Sequence, residues 1–501
     1  MPKYPLGVPI SQTKSDQSHH ANFRPRVHLP TQFYETISML RTVLLLLTIT
    51  VTAWGQTIPQ DNDELRLVVI LARHGVRSPI ASETRSSAFN AQPWPTWPVE
   101  PGTLTPHGIE ALKRMGEFYR QRYSTLLTEG CNSVYAESTN TSRTIASAKA
   151  TLSAVVPGCT IGVHPDLLQD PETIDRQRLV DATNGRMANQ PEWFERAFAV
   201  PLEEMHSILA TCPPGHPTCN TQTPDFRTNM LEAVTPPTMS QPQALQKARL
   251  IPRDPRKENA VALGADFAEN FLLQYTEGIP MEQVGWGRVS RPMLDRLMEM
   301  NTRYHDFILR TPYYAQQAAG PLAKHISDTL VWAPVRASSV MISGSNTKNK
   351  NPEYGRRFFF LSAHDANLTW LGGLLRIDWL VSDETFNATP PGSALVFELH
   401  HNKQTNADTV RVFFIAQKLD QIRNLTSLTG EEMPSISPVY VPNCSGGAPD
   451  YACGLKDFAQ VLSDAAAGSP TPKASSPAPA AKARAHPATS RPQSPHPSAT
   501  R

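Results

Sequence analysis

Two apolar runs, nearly 300 residues apart, end in short clusters of charged and imidazole side chains, and this pairing constrains the fold more than any other feature. The first, Leu65-Arg66-Leu67-Val68-Val69-Ile70-Leu71, leads into Ala72-Arg73-His74-Gly75-Val76-Arg77-Ser78-Pro79. The second, Arg356-Arg357-Phe358-Phe359-Phe360-Leu361-Ser362-Ala363, leads into His364-Asp365-Ala366-Asn367. Runs this apolar read as strands covered on both faces, which is the environment of a parallel α/β sheet. Ligands of such sheets bind just beyond the carboxyl ends of the strands. If the two strands are neighbours, Arg73, His74 and Arg77 meet His364 and Asp365 at one sheet edge. A third strand is read at Ser393–Leu399.

Two arginines flanking a histidine, with Gly75 read as allowing a sharp turn, suit a phosphate held by guanidinium groups. A ring nitrogen of His74 then lies where it can attack phosphorus and form a phosphohistidine. Asp365 would protonate the departing alcohol oxygen. A bound phosphate raises the pKa of that carboxyl, which predicts a preference for acid. Taken alone, the first motif also fits a salt-bridged loop.

Charge narrows the partners. With 47 Lys and Arg against 45 Asp and Glu the net charge is +2, too balanced for a nucleic-acid binder working through a basic field. Residues 1–55 carry +3 and 465–501 carry +5, so the middle sums to −6. Residues 42–54, TVLLLLTITVTAW, follow Arg41 and end in small residues before Gln56. This is a signal-peptide pattern and too short for a spanning helix, which needs about 20 apolar residues. The expected signal is 39–55, with 1–38 an extension that precedes a translation start at Met39. Export to the periplasm or outside the cell follows, with no stable membrane insertion after cleavage. Residues 465–501 hold eight prolines and almost nothing larger than alanine among their apolar residues, and read as a disordered basic tail.

Six cysteines, Cys131, Cys159, Cys212, Cys219, Cys444 and Cys453, suit an exported chain with disulfides. Pairing neighbours in sequence gives 131–159, 212–219 and 444–453, one of fifteen connectivities. No CxxC, HExxH, P-loop or GxGxxG motif occurs. Thr105-Pro106 reads as a helix N-cap with proline at the first position, and His107 as structural. The Trp94–Trp97 loop either lines the site entrance or packs on its own domain. The Asn367-Leu368-Thr369 sequon lies inside the second motif, which argues against glycosylation. Amphipathic stretches at 184–210, 258–278 and 290–328 make 166–330 a mainly helical insertion. The catalytic α/β core is expected at 56–165 and 331–464.

The chain resembles the histidine acid phosphatases, specifically the enterobacterial periplasmic phytase and glucose-1-phosphatase branch. The resemblance rests on Arg73–Pro79 and His364–Asn367, and extends through Pro93–Val99, Leu104–Gly108, Phe271–Gln274, Gly285–Arg288, Arg310–Pro312 and Thr389–Gly392, over about 64–464. It implies a phosphoglycerate-mutase-like α/β sheet flanked by helices, with an inserted helical domain. It also implies the three disulfides above, no cofactor and no metal. By resemblance His74 is the nucleophile, Asp365 the proton donor, and Arg73, Arg77 and His364 phosphate ligands. Arg143, in Ser138–Thr144, matches a further phosphate-binding arginine by context, although it also fits a surface helix. Glu269 matches an acidic residue of the substrate pocket, or is a solvated helix glutamate.

Two departures bear on substrate. Phytases of this branch carry a lysine soon after the first motif, whereas this chain reads Pro79-Ile80-Ala81-Ser82-Glu83. They also typically carry threonine where this chain has Ala366. The resemblance therefore implies a broad phosphomonoesterase acting on small phosphorylated substrates, with a narrow phytase or glucose-1-phosphatase as alternative. A non-catalytic phospholigand binder of the same fold is the alternative from another class.

Overall fold

A computed structural model describes residues 62–80, 89–167, 174–213, 218–227, 260–343 and 355–467. The N-terminal extension, the signal segment, Glu83 and residues 468–501 of the expected tail lie outside the described residues.

Each apolar run forms its strand: β1 is Asp63–Arg73 and β3 is Phe358–Ala363, joined in parallel with Arg73 opposite Ala363. β2 (Val134–Ser138) pairs in parallel on the far side of β3. On the other side of β1, β4 (Ala394–Asn402) and β5 (Ala407–Ala416) continue the sheet antiparallel, and β6 (Ser435–Pro438) borders β5. The order is β2-β3-β1-β4-β5-β6, with the short β7 (Cys453–Gly454) also on β5. The three parallel strands thus release the segments after Ser138, Arg73 and Ala363 at one edge.

Alternation of side chains along a strand explains the unbroken hydrophobicity. Leu67, Val69 and Leu71 face one apolar layer with Phe359 and Leu361, while Val68 and Ile70 face another with Phe358 and Phe360. The second layer is closed by α1 (Pro106–Arg122) and α2 (Ser142–Val155). Between them come α3 (Arg176–Arg186), α4 (Pro191–Ala197), α5 (Ala199–Ala210), α6 (Ala260–Thr276), α7 (Arg291–Leu309) and α8 (Pro312–Ser343) before β3. Helices α5, α6 and α7 build their own apolar cluster around Phe267, Phe271 and Leu297. Helix α8 starts inside the expected insertion, yet Ala319, Leu322, Ile326 and Leu330 pack on the first sheet layer. The chain closes with α9 (Asp365–Leu375), α10 (Leu419–Asn424) and α11 (Leu455–Ala467), the last running three residues into the expected tail.

The three sequence-local disulfides are formed, with Cα separations of 5.5, 5.8 and 5.2 Å. Thr105 caps α1, accepting from Gly108 N at 2.9 Å, and His107 donates to Ile422 O at 2.9 Å. Trp94 packs rather than lining the site, with its ring stacked 4.9 Å from that of Trp286. Gly75 differs from its expected role. Its backbone is not in the left-handed region; a Cβ there would lie 2.7 Å from Leu112 Cδ1, so the local demand is close packing against Leu112. Among the described residues no helix is long and apolar enough to cross a membrane.

Candidate active site

The parallel strand ends assemble the site. Pairing of β1 with β3 continues one step past the strands, since His74 N donates to Ala363 O at 3.0 Å. His74 and His364 therefore emerge side by side, their rings edge to face with centroids 5.5 Å apart. β2 contributes Thr139, whose N donates to Ser362 O at 3.1 Å, and α2 contributes Arg143.

Hydrogen bonds assign the tautomers. His74 Nδ1 lies 2.9 Å from Gly75 O, and a carbonyl only accepts, so Nδ1 carries the proton and Nε2 keeps its lone pair. Arg143 Nη2 donates to His364 Nδ1 at 3.2 Å, which leaves the His364 proton on Nε2, 2.9 Å from Thr139 Oγ1. Thr139 passes its own hydroxyl proton to Thr144 Oγ1 at 3.0 Å. Ser147 ties the first motif to α2, accepting from Gly75 N at 3.1 Å and donating to Arg143 O at 2.7 Å.

Both imidazoles resist protonation. Burial holds His74 well below its ordinary value, with Arg77, Arg73, His364 and Arg143 adding to the effect. Burial, then Arg143, lowers His364 to about 4, against an opposing pull from Asp365. His74 thus remains an uncharged nitrogen base in acid, where a free histidine is protonated.

Arg73 is the hub. Its side chain is 2 % exposed, donates through Nη1 to Thr389 O at 2.5 Å, and pairs through Nη2 with Glu269 and, at 3.2 Å, with Asp365 Oδ2. Arg77 Nη2 lies 3.9 Å from Glu269 Oε1. Glu269, on α6, is buried, so the solvated-helix reading does not hold: the helical segment inserts a carboxylate between two guanidinium groups. Asp365 opens α9 and accepts from Ala366 N at 2.7 Å. Burial pushes its carboxyl up, but neighbouring positive charge, Arg73 first, outweighs burial and holds it below the usual range. In the unliganded site Asp365 is therefore ionised, and the upward shift expected from phosphate has to come with the ligand.

All seven candidate residues, His74, Asp365, Arg73, Arg77, Arg143, His364 and Glu269, converge here. All but Arg73 line a cavity of about 430 Å³. Arg73 lines a narrower chamber that shares Asp365 and Glu269 with the first. The sequence reading missed Asp266 on α6 and Asn301, Tyr304 and His305 on α7, which complete the front wall. Their signal was present: Asn301 and His305 interrupt the buried stripe of α7 that runs through Leu294, Leu297 and Ile308. The Asn367–Thr369 sequon is buried in α9. Among the described residues no group of His, Cys, Asp or Glu is arranged to hold a metal ion.

A parallel sheet edge carrying a buried neutral histidine, three arginines and an aspartate defines a histidine-type phosphatase. The chain belongs to the histidine phosphatase superfamily (branch 2), whose family model matches residues 64–415. It is 27% identical to the Escherichia coli protein named phytase AppA over 391 residues, 74% of this chain and 85% of that one. It is 26% identical to a Salmonella typhimurium glucose-1-phosphatase over 403 residues, 75% and 86% of the two chains. The apo Hafnia alvei phytase structure superposes with a TM-score of 0.64 at 26% identity, covering 81% of this chain and 97% of that one. The protein is a histidine-type acid phosphatase, a phosphoric monoester hydrolase.

Proposed function

We propose that the protein is an exported phosphomonoesterase of broad acceptance, working through a phosphohistidine at His74 with Asp365 as proton donor. The observation that carries this reading is the His74 tautomer: Nδ1 is committed to Gly75 O, and Nε2, free of a proton, shares its cavity with Asp365. In the first half-reaction the Nε2 lone pair bonds to phosphorus, the ester P–O bond breaks, and Asp365 gives its proton to the departing oxygen. In the second, water bonds to phosphorus, Asp365 takes the water's proton, and the P–N bond breaks to release phosphate. Arg73, Arg77 and Arg143 are the donors available to the phosphoryl oxygens, with His364, tied to Arg143 and Thr139, beside them. A binder that does no chemistry has no use for both His74 and Asp365.

Breadth is supported by the cavity wall. Beyond the charged groups and histidines already named, its described lining mixes apolar side chains (Ile80, Ile308, Leu309, Trp370) with neutral polar ones (Thr141, Asn301, Tyr304, Asn367), and offers no lysine to hold outer phosphates. The narrow reading, phytase or glucose-1-phosphatase, is supported by the relatives that bear those names. Export, to the periplasm or beyond, is supported by the signal-like segment together with the three disulfides.

The test is a comparison of phytate, glucose 1-phosphate and aryl phosphates in acid. Comparable kcat/KM across the panel supports breadth, and a single preferred substrate refutes it. His74→Ala should abolish turnover and the base-stable phosphoenzyme. Asp365→Asn should slow poor leaving groups by about 100-fold or more while sparing good ones. Equal slowing of both classes removes Asp365 from the donor role.

A further inference from the structure

Adjoining the front cavity, with which it shares Asp365, Glu269, Asn301 and His305, is a chamber of about 20 Å³ whose wall also includes Arg73, Thr302 and Glu384. A volume of that size holds a water, and this one offers more than the two to four polar partners a buried water needs. On its far side Glu384 also lines a second, outer cavity of about 560 Å³, together with Arg291, Asp295, Asp383, Lys418 and Asp420. Asp365 belongs to the chamber and the front cavity, Glu384 to the chamber and the outer cavity. The segment that bears Glu384 is anchored at both ends: Thr385 Oγ1 lies 2.9 Å from Thr302 Oγ1, and Thr389 O accepts from Arg73.

We propose that Glu384 is a rear proton relay, exchanging protons between the outer cavity and Asp365 through water in the chamber while substrate fills the front cavity. The proposal rests on the reading of Asp365 as donor. Asp365 is ionised before substrate arrives and must hold a proton when the ester bond breaks. Below pH ~6 a phosphate monoester brings one itself; above that it binds as a dianion and brings none. The proton then has to come from elsewhere. In the relay the Glu384 carboxyl passes its proton to the water, the water passes one to Asp365, and the Glu384 carboxylate recovers one from solvent in the outer cavity. No bond to phosphorus changes in these transfers, and release of phosphate runs them backwards.

Glu384 is equipped for this. Its side chain is 7 % exposed, Oε1 is buried without a hydrogen-bond partner, and its ion-pair contact, Arg291 Nη2, is 4.0 Å away. Burial pushes its carboxyl up to about 8, opposed by Arg291 and reinforced by Asp295, Asp383 and Asp420. Lys418 faces the outer cavity, and Arg73, Glu269, His305 and Asp306 face the chamber. At neutral pH Glu384 therefore still carries the proton that Asp365 lacks.

The experiment uses Glu384→Gln in the full chain, with an alkyl phosphate as poor leaving group and p-nitrophenyl phosphate as good one, at pH 4.5 and 7. The expected result is wild-type kcat for both at pH 4.5. At pH 7 the alkyl ester should show about a 10-fold loss and a larger solvent deuterium isotope effect, while the aryl ester is spared. Leu272→Phe, which narrows the chamber from α6 and leaves the Thr302–Thr385 anchor of the Glu384 segment intact, should reproduce that loss, and it decides the matter if Glu384→Gln does not fold. A wild-type pH profile in either variant, or equal slowing at both pH values, overturns the relay. If Asp365→Asn slows both esters equally, the donor reading itself has failed. If Asp365→Asn discriminates between them and Glu384→Gln does not, only the relay has failed.

Discussion

Glu277→Gln should stabilise the protein at neutral pH and leave it unchanged in acid. Glu277 follows α6 and accepts a hydrogen bond from the Thr105 hydroxyl at 2.5 Å, joining the helical segment to the cap of α1. Burial raises its carboxyl to about 7, against the lowering effect of that hydrogen bond. Below pH ~4.5 the group is protonated in both the folded and the unfolded chain and contributes nothing to pH dependence. As pH rises from there to about 7 the unfolded chain gives up its proton first, so the native state loses stability. The loss is complete above the folded value. The displacement from 4.5 to about 7 sets a ceiling of about 3.4 kcal/mol, which the half-buried side chain's screening reduces to about 2. At about 2.1 cal/mol/K per residue over roughly 400 residues, that corresponds to a Tm shift of about 2 °C. Calorimetry of wild type and Glu277→Gln from pH 4 to 8.5 should show coincident Tm values at the acid end, then a gap opening to about 2 °C in the variant's favour. A gap that is constant with pH, or one that opens toward acid, refutes a buried, proton-hungry Glu277.

Three further outcomes follow from the site. Glu269→Gln removes a buried negative charge between Arg73 and Arg77, so inorganic phosphate should inhibit roughly 10-fold more strongly, read as Ki at fixed ionic strength. Thr139→Val removes the acceptor of His364 Nε2–H and frees that ring to change tautomer, so KM should rise several-fold, about 1 kcal/mol, with a smaller change in kcat. Dialysis against EDTA should leave turnover of p-nitrophenyl phosphate unchanged, because guanidinium groups stand where a metal-dependent phosphatase places its cations; loss of activity restored by a divalent ion contradicts this.

What could be read from the sequence was whatever a short range dictates. Leu67–Leu71 and Phe358–Leu361 are apolar on both faces, which is enough to make them central parallel strands, and parallel neighbours bring their following residues together. His74 and Asp365 follow from that alone. Arg143 and Glu269 required the resemblance, since a helix arginine and a helix glutamate look alike whether they face solvent or a cavity. The role of Gly75 was misread because its constraint comes from Leu112, 37 positions away, and nothing local records that approach. Glu384 was invisible for a similar reason: it sits in an unremarkable Asp-Glu-Thr stretch, and only the folded arrangement places it between two cavities.

The charge of the pocket links these observations to acid catalysis. Arg73, Arg77 and Arg143 are met there by Glu269, Asp365 and Asp266, so the unliganded site is formally balanced. A phosphate group that binds the same guanidinium groups adds negative charge beside Asp365 and competes for the Arg73 contact that holds its carboxyl down. Substrate binding is thus coupled to proton uptake, and raising the pH weakens both together. In the unliganded pocket His74 is already held neutral by burial and the same arginines. An acid preference then requires no group that titrates on the nucleophile; it follows from the need to seat a phosphate and a proton in the same neutral site.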